Sequence, residues 1–454
     1  MADKLSELWV WMNGEHVGVW HRGRTGHHRF TYEATWLNSP RVRPLSLSMP
    51  ITPDRTVSGD VVRNYFDNLL PDDAQIRKRV AARFKTNSID AFELLQAIGR
   101  DCVGAAQLLP PETAPTGFDR IDYEPMSDAA VEQHLRGVVS TPGLGGEDDA
   151  KDFRISIAGA QEKTALLRLD GQWCRPLGAT PTTHIVKLPL GLVGGRRLDL
   201  THSVQNEWLC AQFLRELGLP VAETEMVRFG DQLTLVVERF DRSWATRLTD
   251  GQRWIARLPQ EDFCQVLGLP PSAKYESHGG PSMVRCTQIL LGGQAPQVDV
   301  SHFLRTQLAF WLLAATDGHA KNFSIFLLPG GQYRMTPLYD VISVWPVVGN
   351  AANQVPWRAA KLAMAIRSKN VHYNLHSIQA RHWRDAAERS GAADVWEDML
   401  TLSQCVEPAI AAVQARLPAD FPPRTADAVF EGVRAQLTRW EQGLGSLWRA
   451  AVEG

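Results

Sequence analysis

With 454 residues, 44 % of them apolar and 22 % charged, the chain has the composition of a folded protein, not of a disordered one. A formal net charge of -2 excludes a polyanion binder driven by bulk charge. At roughly 150 residues per domain, the length predicts about three domains or one large two-lobed body.

No apolar stretch approaches the roughly 18 residues of a membrane span; Leu308 to Ala315 is among the longest. The start Met1-Ala2-Asp3-Lys4 lacks a charged-then-apolar signal pattern, so a cytoplasmic protein is expected. The six Cys contain no C-x-x-C pair, which indicates neither a zinc knuckle nor a dense disulfide framework.

The first element in the chain is a hairpin. Leu8 to Met12 and Val17 to Trp20 flank Asn13-Gly14, two residues that tolerate positive φ in a tight turn. After Val61 the apolar spacing becomes helical, with Phe66, Leu69, Leu70, Ile76, Val80 and Phe84. Pro110 to Pro115 is a Pro-rich break, and Thr141 to Asp149 reads as a flexible acidic loop. Lys163 to Leu169 and Thr183 to Leu188 read as strands. Thr201 to Leu217 reads as a helix, stopped by Gly218 and Pro220. Leu233 to Phe240 is another buried strand. Beyond it the pattern is mostly helical, with one hairpin, Phe323 to Leu328 and Tyr333 to Leu338, around Pro329-Gly330-Gly331-Gln332. Strands first and helices later predict an α+β protein with a β-rich lobe and a helical lobe.

Four features carry chemistry. The apolar helix Leu304 to Ala315 opens into Thr316-Asp317-Gly318-His319-Ala320-Lys321-Asn322. In kinase catalytic loops an Asp takes the substrate hydroxyl proton, and an Asn five residues on holds Mg²⁺. The second hairpin ends at Asp340, which can return as a second oxygen ligand. An Asx-turn loop with solvated side chains would explain Asp-x4-Asn equally well. Lys187 lies in a buried strand and Glu207 on the following helix, the arrangement in which kinases pair a phosphate-binding Lys with a Glu. A Lys on the exposed face of a half-buried strand is the bland alternative. The small residues of Ile157-Ala158-Gly159-Ala160-Gln161-Glu162-Lys163 would let backbone N–H groups cradle phosphates, although a tight hairpin turn also fits. Finally, Ile366 to Arg384 holds Arg367, Lys369, Arg381 and Arg384 and no acid. It is a candidate for phosphate contacts on DNA or an ordinary solvated face.

Long stretches make a resemblance specific. Ser156 to Leu167, Pro181 to Pro189, Val237 to Arg242, Leu258 to Asp262 and Ala315 to Ser324, with Arg43 to Ser48, Tyr65 to Pro71 and Ile98 to Gly104, resemble the HipA family of serine/threonine kinase toxins of type II toxin–antitoxin systems. The resemblance covers nearly the whole chain and is weakest after about Ala365, where Arg381-His382 matches. It implies an α+β, two-lobed protein-kinase-like fold: an N-terminal β-rich subdomain over 1–112, a kinase N-lobe over 150–242 and a helical C-lobe over 243–454.

The resemblance also implies roles. Asp317 would be the catalytic base, and Asn322 and Asp340 the Mg²⁺ ligands. Lys187 and the loop Ala158, Gly159, Ala160, Gln161, Glu162 and Lys163 would hold the phosphates of ATP. Glu238, Arg239 and Phe240 would form the hinge at adenine, with His319 near the nucleotide. Ser156 would be an autophosphorylated serine. Implied partners are a HipB-like helix-turn-helix antitoxin, operator DNA through the complex (with Arg381 at the contact) and a host translation protein, glutamate–tRNA ligase leading. No membrane is implied. Two rivals share the scaffold: a degenerate kinase acting only as a co-repressor, and a small-molecule or lipid kinase.

Overall fold

The computed structural model describes residues 6–139, 155–159 and 161–453. It divides into two compact units that are not contiguous in sequence. One comprises Met1–Leu188, Val227–Ala273 and Ser324–Tyr333, the other Pro189–Met226, Lys274–Phe323 and Arg334–Gly454. The acidic loop expected at 141–149 lies outside the described residues.

The first unit opens as the sequence predicts. Ser6–Met12 and Glu15–Arg22 pair antiparallel about a turn in which Asn13 (φ 46°) and Gly14 (φ 82°) are left-handed. They sit in a five-stranded sheet in the order Thr56–Ser58, His28–Tyr32, Glu15–Arg22, Ser6–Met12, Gln107–Leu109. The helices Asp60–Asp67 and Ala91–Ile98 supply Phe66, Phe92 and Leu95 to its core. Trp20 stacks on Phe66, with ring centroids 4.0 Å apart and planes at 13°.

A second sheet runs Thr224–Phe229, Gln232–Glu238, His184–Lys187, Lys163–Leu169, Gln172–Pro176, Tyr123–Pro125. Its apolar face, Leu166, Val186, Val236 and Trp173, is covered by Val131 and Leu135 of the helix Asp128–Val139. Two of the stretches that carried the resemblance meet at the buried Glu261 (1 % exposed). Ser46 Oγ lies 2.5 Å from Glu261 Oε2, and Leu47 N–H donates to Oε1 at 2.8 Å. Burial pushes the Glu261 carboxyl up to about 8, against the Ser46 and Leu47 hydrogen bonds that favour its anion. Asn64 and Asn68 tie the same region together through the carbonyls of Gly268 and Leu269. These contacts hold residues 46–68 of the unit onto the strand Gln260–Asp262 and the segment that follows it.

The second unit is built on the helix Pro296–Leu313, buried along most of its length and packed by Met283–Leu290, Val395–Gln404 and Pro423–Glu453. Trp311, Trp383 and Trp440 are fully buried. Two hairpins break the expected helical run after Phe240. Arg242–Thr246 pairs with Arg253–Arg257 in the first unit, and Lys361–Arg367 with Val371–Asn374 in the second. The run Leu362-Ala363-Met364-Ala365-Ile366 is buried at every position, so it has no polar face whose period separates strand from helix. Among the described residues, no helix is long and apolar enough to cross a membrane.

Candidate active site

In the first unit the small-residue loop is held at both ends. Ile155–Ser156 forms a short parallel pairing with Asp101–Cys102, and Gly159 bridges to Pro71, with Asp72 N–H donating to Gly159 O at 3.0 Å. Ser156 is completely buried, and its hydroxyl donates to Leu69 O at 2.7 Å. Gly159 has φ 112°, a region closed to side chains. Gln161 Nε2 donates to Leu188 O at 2.6 Å, and Leu188 N–H to Glu162 O at 3.2 Å. Glu162 also forms an ion pair with Arg79. Ala160 is outside the described residues; Ala158 lies between Ile157 and Gly159 on the same loop.

These stitches set Lys163 directly opposite Lys187 in the antiparallel register. Directly paired residues project to one face, and like charges there repel. Lys187 is 5 % exposed. An ideal Cβ on Gly159 would lie 2.5 Å from Lys163 Nζ, so that ammonium lies against the loop backbone. Two ammonium groups on one face beside a glycine loop are a donor set suited to a polyphosphate. Glu207, the expected partner of Lys187, is 3 % exposed on the helix Ser203–Glu216 of the second unit.

The segment after Gln232–Glu238 is governed by buried charge. Arg239 is 4 % exposed, and both its main-chain groups are engaged: N–H donates to Thr183 O at 2.9 Å, and C=O accepts from Arg242 N–H at 3.1 Å. Its guanidinium donates to both oxygens of Asp241, to Cys102 O and to Asp101. Arg242 and Arg257 also bond Asp101. Burial alone would raise the Asp101 carboxyl, but the guanidiniums of Arg242, Arg239 and Arg257 and the Thr182 hydroxyl outweigh it and hold it far below the usual range. Asp241, buried but facing Arg239 and Arg242, is lowered to about 2. Arg239 therefore fixes the path of the chain, while the exposed Glu238 and Phe240, edge-on to Phe326 at 5.7 Å, flank it. Sequence reading missed this network because each of its members looks like a surface charge in isolation.

The second unit gathers the predicted catalytic residues. The helix Pro296–Leu313 stops at Ala314 in a left-handed conformation, and the loop turns at Gly318, where a Cβ would strike Phe310 at 2.4 Å. His319 N–H donates to Asp317 O at 2.8 Å, and Asn322 N–H to His319 O at 2.9 Å. The Asn322 amide donates to Asp317 O at 2.8 Å and to Asp340 O at 3.4 Å, which directs its Oδ1 the other way. Asp317, Asn322 and Asp340 are thus brought together, as their spacing predicts. The Asp317 carboxylate is 62 % exposed, while the His319 ring is almost fully buried, with Nε2 3.8 Å from Asp317 Oδ1. Asp340 takes φ 60°, the left-handed region that Asp, Asn and His enter more readily than other non-Gly residues.

A hard cation suits this set: an amide oxygen and a carboxylate, with phosphate oxygens completing the shell. Among the described residues no group of three or more His, Cys, Asp or Glu could hold a metal by itself. Sequence reading also missed Tyr275, whose hydroxyl donates to Asp317 Oδ1. The available signal was a polar run, Lys274 to Gly280, between a Pro-Pro break and a helix, since such loops often carry function.

Arg381 is exposed on the helix Ala380–Glu388. The basic stretch around it is not a free run, because Arg367 pairs with Glu276 and Arg384 with Glu388.

The architecture is that of an α+β, protein-kinase-like protein. Residues 8–109 match the HipA N-terminal domain and residues 155–420 the HipA-like C-terminal domain; the chain belongs to the HipA family. Y4mE of Sinorhizobium fredii, provisionally named a kinase, is 33 % identical over 386 residues, 84 % of this chain and 85 % of that protein. The serine/threonine-protein kinase toxin HipA of Shewanella oneidensis is 29 % identical over 317 residues, 66 % of this chain and 67 % of that one. A chain of the solved complex of Shewanella oneidensis HipA, HipB and operator DNA superposes with a TM-score of 0.75 at 25 % identity, covering 97 % of this chain and 98 % of that one.

Proposed function

We propose that this protein is the kinase toxin of a toxin–antitoxin pair, transferring the γ-phosphoryl of ATP to a serine or threonine of a host protein. The observation that supports the reading is the Asn322 amide, which bonds the carbonyls of both Asp317 and Asp340 and so draws the proposed base and the two proposed oxygen ligands together. Asp317 accepts the proton of the acceptor hydroxyl. Lys163 and Lys187 hold phosphate oxygens, with the backbone of 158–162. Glu238 and Phe240 meet the adenine on a path fixed by Arg239, and His319 lies near the nucleotide. Mg²⁺, when bound at Asn322 and Asp340, neutralises charge on the triphosphate.

The division is an N-terminal subdomain over 1–112, a kinase N-lobe over 150–242 with the phosphate loop, Lys strand and hinge, and a helical kinase C-lobe over 243–454. Ser156 is the site of self-phosphorylation that shuts the enzyme down. A HipB-like antitoxin is the partner, operator DNA is reached through the complex with Arg381 at the contact, and an aminoacyl-tRNA ligase of the cytoplasm is the acceptor. The deciding experiment is phosphate transfer from radiolabelled ATP into lysate proteins by wild type and Asp317→Gln. Loss of a general base costs ~10²–10⁴ in rate, and Asp317 is exposed, so the variant should stay folded, with no more than the small melting shift that loss of its Tyr275 hydrogen bond brings. Near wild-type transfer by Asp317→Gln would remove Asp317 from the chemistry.

A further inference from the structure

An aspartate that takes a proton in a transfer step must present one oxygen in a fixed direction. The main chain of Asp317 is fixed, since its carbonyl accepts from Asn322 and His319. Neither contact restrains the carboxylate, which is 62 % exposed and, left alone, would sample its rotamers. One hydrogen bond does restrain it: the Tyr275 hydroxyl donates to Oδ1, leaving Oδ2 as the oxygen to receive a proton.

Tyr275 is itself held. Its ring stands edge-on to His319, with centroids 5.0 Å apart and planes at 89°. On one side, Lys274 O accepts Ala320 N–H at 3.0 Å, which staples the segment to the catalytic loop. On the other, the Glu276 carboxylate accepts Ala365 N–H at 2.6 Å and pairs with Arg367, anchoring the segment to the hairpin Lys361–Arg367 and Val371–Asn374. Tyr275 O accepts from the N–H groups of His278 and Gly280, each at 2.9 Å, closing the turn from Tyr275 to Gly280.

We propose that Tyr275 is the positioning residue for the base: its hydroxyl selects the rotamer of Asp317, and Glu276 with Arg367 holds Tyr275 in place. This rests on the kinase reading above. The hydrogen bond that the phenol makes is to the proposed base, so its loss should act on turnover and not on nucleotide binding. The pair Glu276–Arg367 also gives the acid-free stretch a task that is not DNA contact.

The test is Tyr275→Phe, which removes one oxygen and keeps the ring against His319. The full-length protein is assayed with radiolabelled ATP and myelin basic protein as acceptor. The expected result is a fall in kcat of about tenfold, equivalent to ~1.4 kcal/mol, with KM for ATP unchanged. Glu276→Gln, which touches no reacting group, should lower kcat in the same direction with KM for ATP again unchanged. An independent readout is thermal melting of Tyr275→Phe, Asp317→Ala and the double variant. If the two groups act only through each other, removing the second has no further effect on the midpoint.

Unchanged or raised kcat in Tyr275→Phe, or additive melting shifts, overturns the proposal; a raised kcat would mean that the phenol competes with the acceptor hydroxyl for Asp317. If wild type transfers no phosphate to any protein, the kinase reading falls and this role with it. Active wild type beside an equally active Tyr275→Phe refutes Tyr275 alone.

Discussion

Replacing Asp101 by Asn should be among the most damaging single changes in the first unit. Asp101 accepts from Thr182 Oγ1 at 2.6 Å, Thr182 N–H at 3.1 Å, Arg242 Nη2 at 2.9 Å, Arg257 Nε at 3.2 Å and Arg239 Nη1 at 3.3 Å. Three buried guanidiniums face two buried carboxylates, Asp101 and Asp241. The formal sum of +1 becomes +2 when Asp101 loses its charge, with no water to screen it.

Removing one partner of a buried ion pair typically costs about 3–5 kcal/mol, because the remaining charge is left desolvated. Urea is the denaturant of choice, since it adds no ions to screen the network. With a slope near ~3 kcal/mol per M, the unfolding midpoint should fall by about 1–2 M. Tryptophan fluorescence reports the transition. The sign of the pH dependence follows from the lowered carboxyls. Both Asp101 and Asp241 lie below the usual range in the folded protein, so their contribution is complete above the unfolded value of about 3.9 and is lost as pH falls through the folded value, about 2 for Asp241. The gap between wild type and Asp101→Asn should therefore be flat from neutral pH down to about 5 and shrink below ~4. A midpoint shift under about 0.3 M, the size of an exposed ion pair, would refute the claim that the network is desolvated and stabilising.

Two further outcomes are expected. Asp340→Asn should weaken Mg²⁺-ATP binding about tenfold by titration calorimetry, since a neutral amide replaces a charged ligand; Asn tolerates the left-handed backbone at this position, so unchanged affinity would make Asp340 structural. Incubation with Mg²⁺-ATP should place one phosphate on Ser156, found by peptide mass spectrometry. A phosphoserine brings about -1.5 to -2 charges and no donor for Leu69 O, so hydrogen exchange should quicken at 101–104 and 155–159, and an unchanged exchange pattern at full phosphorylation would sink the idea that Ser156 leaves its seat.

Much of this protein is local and could be read from the chain. Asn13-Gly14 turns a hairpin because both residues accept positive φ. Gly218, at φ 72°, ends the helix Ser203–Glu216 for the same reason. The five-residue spacing of Asp317 and Asn322 places the amide on the carbonyl because only Gly318-His319 and a short 3₁₀ turn, Ala320–Asn322, connect them. Such features depend on neighbours a few bonds away.

What the tertiary structure decided is which charges are buried and against what. Arg239 reads as a hinge residue, yet its head lies in a network with Asp101, 138 residues away. Ser156 is read through the resemblance as a phosphorylated serine, yet its hydroxyl is sealed against Leu69, 87 residues away. Tyr275 stands in a polar run that marks only a loop, yet its partner Asp317 lies 42 residues on. The hairpin at Lys361–Arg367 was hidden because a run buried on both faces shows no period. Burial and ion pairing are properties of the packed chain: a side chain's cost in low dielectric depends on the groups folded against it, and sequence spacing does not encode that over such distances.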